Sequence, residues 1–111
     1  MNEGMFCPAA QAIGILQEKW TLFIVRSLLD GPKGFNELRR ELDCNPSTLS
    51  DRLDTLERAK IITKTIHSTM PPRTSYELTC AGRELQSVIG AIDGWARTYL
   101  EHPEPEPVEA R

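Results

Sequence analysis

Three cysteines, two histidines and one polar helix face carry what chemistry residue type and spacing can suggest in this 111-residue chain. Cys7, Cys44 and Cys80 form no close metal-binding pair and no disulfide framework. Cys7 stands immediately before Pro8, at the start of a helix, where the partial positive charge of the helix end favours an anionic nucleophile. It is therefore a candidate redox sensor for oxidants or electrophiles; the alternative is a small, half-buried residue packed at an interface. The neighbours of Cys44 and Cys80 suggest turn and core roles instead. His67 and His102 are isolated, and there is no Ser-His-Asp grouping, no apolar carboxylate pair and no phosphate-binding glycine loop. No catalytic residue, metal ligand or cofactor is expected. The remaining feature is a helix starting at Pro46, with Leu49, Leu53 and Leu56 along one side. Ser47, Thr48, Asp51, Thr55 and Arg58 lie on the other, with Arg52 on the flank. Hydroxyls, carboxylates and guanidinium groups can all hydrogen-bond base edges in a major groove. A solvated helix face carries the same residue types, so this helix alone leaves both readings open.

The elements that would present that face follow in a definite order. Cys7-Pro8 opens a first helix, proline being suited to a first helical position, with Ala9, Ala12, Ile13 and Leu16 at helical spacing. A second, strongly apolar helix is expected from about Lys19 to Leu29, stopped by Asp30-Gly31-Pro32. A short helix follows over Phe35 to Leu42, with Phe35, Leu38 and Leu42 inward. The break Asp43-Cys44-Asn45 then leads to the helix at Pro46, which Asn45 can cap. Ile62 to Ile66 and Ser75 to Thr79 alternate with period two and predict an antiparallel pair around a loop from His67 to Thr74. Thr79 caps a long helix from about Cys80 to Leu100. Its stripe of Leu85, Val88, Ile89, Ile92, Trp95, Ala96 and Tyr99 is too long for one small domain to cover. The fold class is mainly α with a small antiparallel β-hairpin (α+β), in the order of a winged helix-turn-helix.

Bulk properties are compatible with that reading. The length suits one domain, spanning 7–100, between a flexible N-terminus (1–6) and an acidic, Pro-rich, disordered tail (101–111). No apolar run approaches the ~20 residues that a membrane span needs, and the N-terminus lacks the pattern of a signal peptide, so a cytoplasmic location is expected. The net charge of −3 is unusual for a DNA binder, but it is unevenly spread. Lys19 to Arg73 holds ten basic against seven acidic residues, a balance of +3, and the acids collect elsewhere.

Taken in order, CPAAQAIGILQEKW, TLFIVRSLLDGPKGFNELRREL, NPSTLSDRLDTLE and PPRTSYELTCAGREL resemble the HxlR-type winged-helix transcriptional regulators of prokaryotes, over about residues 7 to 97. The resemblance implies a homodimer, a repressor, bound to a palindromic operator of double-stranded DNA. Ser47, Thr48, Asp51 and Arg52 would occupy base-reading positions, and His67, Thr69 and Arg73 the wing. Lys33, Asn36 and Arg39 would contact phosphates. The dimer interface would form from the first and last helices through Phe6, Pro8, Ile13, Leu85, Ile89, Ile92, Trp95 and Tyr99. The signal would be a small electrophile, sensed at Cys7, or an aromatic effector among Trp20, Phe23, Trp95 and Tyr99, residues that also serve as plain core. The chain departs from the family pattern at Gln17-Glu18 and Lys60, where glycines are usual, and in the acids of its recognition helix, Asp51 and Asp54. Winged helices also act as protein-interaction modules without DNA, which remains the rival reading.

Overall fold

Asn45 fixes where the central helix begins. In the computed structural model, which describes residues 7–100, its Oδ1 accepts from the backbone N–H of Ser47 (2.8 Å) and of Thr48 (3.4 Å). This satisfies two of the donors that a helix start leaves unpaired. Phe6, His102 and the expected flexible and acidic termini lie outside the described residues. The element order is α1 (Pro8–Leu16), α2 (Thr21–Leu28), β1 (Lys33–Gly34), α3 (Phe35–Leu42), α4 (Pro46–Arg58), β2 (Ile62–Thr69), β3 (Pro72–Leu78) and α5 (Cys80–Tyr99). The sheet is antiparallel with strand order β1-β3-β2. This is a winged helix-turn-helix, with α3 and α4 as the helix pair and the β2–β3 ribbon as the wing.

One core holds the helix-turn-helix and the sheet together. Ile24, Val25 and Leu28 of α2 meet Leu38 of α3, Leu49, Leu53 and Leu56 of α4, and Ile62, Tyr76 and Leu78 of the sheet. The leucine stripe of α4 is thus buried, and truncating any one of the three would leave a cavity costing about 2–5 kcal/mol. Helix α1 buries no residue, and α5 buries only Gly82.

Three backbone positions differ from the sequence expectation. The second helix starts at Thr21, because Trp20 adopts a left-handed conformation (φ 78°) that helical propagation does not allow. Such a φ costs a non-glycine residue about 1–2 kcal/mol. Lys60 (φ 62°) likewise holds the glycine-favouring conformation before β2, whereas Gln17 does not (φ −73°). Lastly, the predicted loop His67–Thr74 is mostly strand: Thr69 pairs with Pro72, leaving Met70 and Pro71 as the turn. Pro72 lies where β3 has no partner on its β1 side, since β1 pairs with β3 only at Ser75 and Tyr76, an edge setting that tolerates proline. The extra residue His67 is accommodated by a bulge between Ile66 and Ser68.

β1 itself is too short for alternation to reveal. It is drawn in where a Cβ on Gly34 would sit 3.2 Å from the Thr74 carbonyl oxygen, a close strand approach.

Candidate nucleic-acid interface

With its leucines facing the core, α4 turns Ser47, Asp51, Asp54 and Arg58 outward, all exposed, with Thr48 and Thr55 half-buried at the margins. This face has hydroxyl and carboxylate groups at its N-terminal end and a guanidinium at the other. Ser47 donates its hydroxyl proton to Asn45 Oδ1 (2.8 Å), so towards a ligand its oxygen is left to accept. The wing presents Thr69 and Arg73, both exposed, and His67, whose Nε2 lies 2.7 Å from Ser75 Oγ across the strand pair. On α3, Asn36 is exposed and Arg39 half-buried. Arg40, Arg58 and Lys64 are further exposed cations outside the expected contact set. Arg58 was legible on the helical wheel; the other two carry no distinguishing pattern.

Two of the expected DNA-contacting side chains are engaged elsewhere. Lys33, read as a phosphate ligand, is turned inward with its side chain 12% exposed. Its Nζ is 2.7 Å from Glu41 Oε1, 2.9 Å from Ser27 Oγ and 3.6 Å from Asp30 Oδ2. Ser27 in turn donates to Glu41 Oε2 at 2.9 Å. Arg52, read as a base contact, folds back so that its Nε donates to the Lys19 carbonyl at 2.7 Å. In both cases an acceptor from another element engages the cation in the free chain.

The Lys33–Glu41 cluster makes stability pH-dependent. The hydrogen bond from Lys33, then that from Ser27, holds the Glu41 carboxyl below its ordinary value, and the bond to Glu41 raises Lys33. A depressed carboxyl contributes stability above its unfolded pKa and loses it as pH falls through the folded value. Glu41→Gln should therefore melt below the wild type at pH 7, with the difference closing in acid. Since Glu41 is 42% exposed, solvent screening limits the gap to about 1 kcal/mol. Urea melts from pH 7 to pH 3 measure it, and a gap that widens in acid would contradict the assignment.

The cysteines separate by environment. Cys7 is exposed at the N-cap of α1, in extended conformation and with no side-chain capping bond. Cys44 is buried within the α3–α4 turn; burial pushes its thiol pKa up, against the opposing charges of Arg52 and Lys19. Cys80, expected in the core, is exposed in the first turn of α5.

The expected interface residues also divide. Leu85 and Ile89 pack on this chain's own core, because the first half of α5 lies against it. Beyond them Val88, Ile92 (49% exposed), Trp95 (57%) and Tyr99 (71%) remain uncovered, as do Pro8 and Ile13 on α1. Trp20–Phe23 and Trp95–Tyr99 form two separate ring pairs, each with centroids 5.8 Å apart. Among the described residues no group of His, Cys, Asp or Glu is placed to hold a metal, and no helix is long and apolar enough to cross a membrane.

Comparison with known proteins agrees with this architecture. The family model described as HxlR-like helix-turn-helix matches residues 15–104. The uncharacterized HTH-type transcriptional regulator sll1512 of Synechocystis sp. is 34% identical over 99 residues, covering 88% of this chain and 73% of that protein. The uncharacterized HTH-type transcriptional regulator Rv3095 of Mycobacterium tuberculosis is 36% identical over 101 residues, 91% of this chain but 64% of that longer protein. Among solved structures, the reduced form of the transcriptional regulator YodB from B. subtilis superposes with a TM-score of 0.77 at 30% identity, over 93% of this chain and 100% of YodB. YodB has also been solved bound to quinone and after diamide treatment.

Proposed function

Because this chain belongs to the HxlR-like helix-turn-helix family, we propose that it is a DNA-binding transcriptional regulator, a repressor that binds a palindromic operator as a homodimer. Helix α4 enters the major groove, with Ser47, Thr48 and Asp51 at base edges. Arg73, Thr69 and His67 of the wing follow the backbone or the minor groove, while Asn36 and Arg39 meet phosphates. The observation that carries this reading is the polar outer face of α4, solvent-exposed on a helix whose opposite side is locked into the core by Leu49, Leu53 and Leu56. The uncovered apolar stripe of α5 supports the dimer, since burying each such side chain contributes roughly 1.5–3 kcal/mol. A twofold pair would hold its recognition helices roughly 34 Å apart, one turn of duplex.

Cys7 is proposed as the sensor. Its exposure at the start of α1 supports this, as do the quinone-bound and diamide-treated forms of the similar YodB. Addition of Sγ to a quinone forms a thioether and reduces the ring to the hydroquinone; diamide joins two Cys7 thiols in a disulfide while taking up their two hydrogens.

Sedimentation and a salt-dependent titration of the DNA upstream of its own gene test partner and assembly together. A dimer is expected, with log affinity falling linearly with log salt at about −0.9 per phosphate neutralised. A monomer, or a chain indifferent to duplex as a protein-interaction module would be, overturns the reading. Diamide or a quinone should release the DNA from wild type and from Cys80→Ser, but not from Cys7→Ser. Release from Cys7→Ser would rule out the sensor.

A further inference from the structure

Arg52 projects from the side of α4 that faces the segment between α1 and α2. Its Nε donates to the Lys19 carbonyl at 2.7 Å, its Nη2 lies 3.7 Å from Glu18 Oε1, and its side chain is only 22% exposed. The acceptor belongs to a tight turn closed by the Thr21 N–H bonding the Glu18 carbonyl at 3.1 Å. Trp20, the third residue of that turn, is the one held at φ 78°. Its ring is close to both the Lys19 ammonium (5.6 Å from the ring centroid) and the Phe23 ring. A non-glycine residue stays in that conformation only where its surroundings over-determine it, and such positions gather at switch regions. Here the holding group comes from the recognition helix, thirty-three residues on in sequence. On the other side of the turn α1, which carries Cys7, buries no residue of its own.

We propose that Arg52 is a positioning residue: it latches the strained Glu18–Trp20 turn to α4, so that the recognition helix, seated on the core by its leucines, is also coupled to α1. The latch stands on the geometry alone; its consequence for DNA rests on the function proposed above. Movement of α1, as when Cys7 reacts, reaches α4 through this contact. A guanidinium suits the task because its rigid planar fork addresses the Lys19 carbonyl and the Glu18 carboxylate in one fixed geometry, which a lysine ammonium, a point charge on a flexible stem, does not impose.

The test uses the full chain labelled with 5-fluorotryptophan, which gives one 19F line each for Trp20 and Trp95. The lines are assigned with Trp95→Phe. In the absence of DNA, Arg52→Ala should displace the Trp20 line and leave that of Trp95 in place; Arg52→Lys should restore it in part. An unmoved Trp20 line overturns the latch, whether or not the protein binds DNA. In duplex titrations Arg52→Ala should lower specific affinity about tenfold at every salt concentration with the salt slope unchanged. A slope smaller by about one would mean a phosphate contact, and a loss confined to operators with one particular base pair would mean a base contact; either overturns the proposal. If the wild type fails to bind duplex while the Trp20 line moves as expected, the proposed function falls and the latch stands.

Discussion

Ser47→Glu is expected to lower affinity for operator DNA on the order of 100-fold while leaving the fold as stable as before or slightly more so. Ser47 is the second residue of α4, exposed, and bonded only to its own N-cap Asn45 among the described residues. A carboxylate in the first turn of a helix is favoured by the dipole, by about 0.3–1 kcal/mol. In the proposed pose that same turn enters the major groove, where a new anion meets two rows of phosphates and the carboxylate of Asp51 already on that face. Like charges brought together at an interface cost several kcal/mol, and each 1.4 kcal/mol is a factor of ten. Thermal melts and fluorescence anisotropy separate the two effects. Undiminished affinity in a variant that melts normally would show that the outer face of α4 does not meet DNA.

The second large effect concerns the joint between wing and last helix. Glycine within a helix ordinarily costs about 0.5–1 kcal/mol relative to alanine, so Gly→Ala should stabilise. At Gly82 the sign reverses. An added Cβ there would run into the Ile61 carbonyl oxygen and come within 2.9 Å of Leu78 Cδ2. That carbonyl already accepts from the Thr79 backbone N–H at 2.9 Å and its hydroxyl at 3.0 Å, while Thr79 Oγ1 caps α5 through the Gly82 N–H at 3.1 Å. Moving α5 away would loosen all three bonds, each contributing about 1 kcal/mol, on top of the strain of overpacking. A loss of about 3 kcal/mol or more is expected, with a fall in Tm of roughly 10–20 °C in thermal denaturation. A variant as stable as the wild type would mean that the first turn of α5 is not seated against the Ile61 carbonyl and Leu78.

The order of helices and strands was legible because each cue acts between near neighbours in sequence. Asn45-Pro46 starts α4, Thr79 caps α5, and the spacing of Leu49, Leu53 and Leu56 puts three side chains on one face. The polar face opposite follows from the same spacing. The wing was legible only in the parts of its strands away from the hairpin turn, because alternation fades at the bulge by His67 and prolines read as loop.

The sequence by itself therefore determined the winged helix-turn-helix, the leucine anchors of α4 and the uncovered apolar run of α5. Only the tertiary structure decided which acceptor each long cation meets in the free chain. Lys33 is satisfied by Glu41 and Ser27, and Arg52 by a carbonyl thirty-three residues earlier in sequence. It also decided that Cys44 is enclosed while Cys80 is not. Periodicity assigns a residue to a face, but a long cation reaches whichever acceptor folding brings beside it, and that neighbour is fixed by packing between elements distant in sequence.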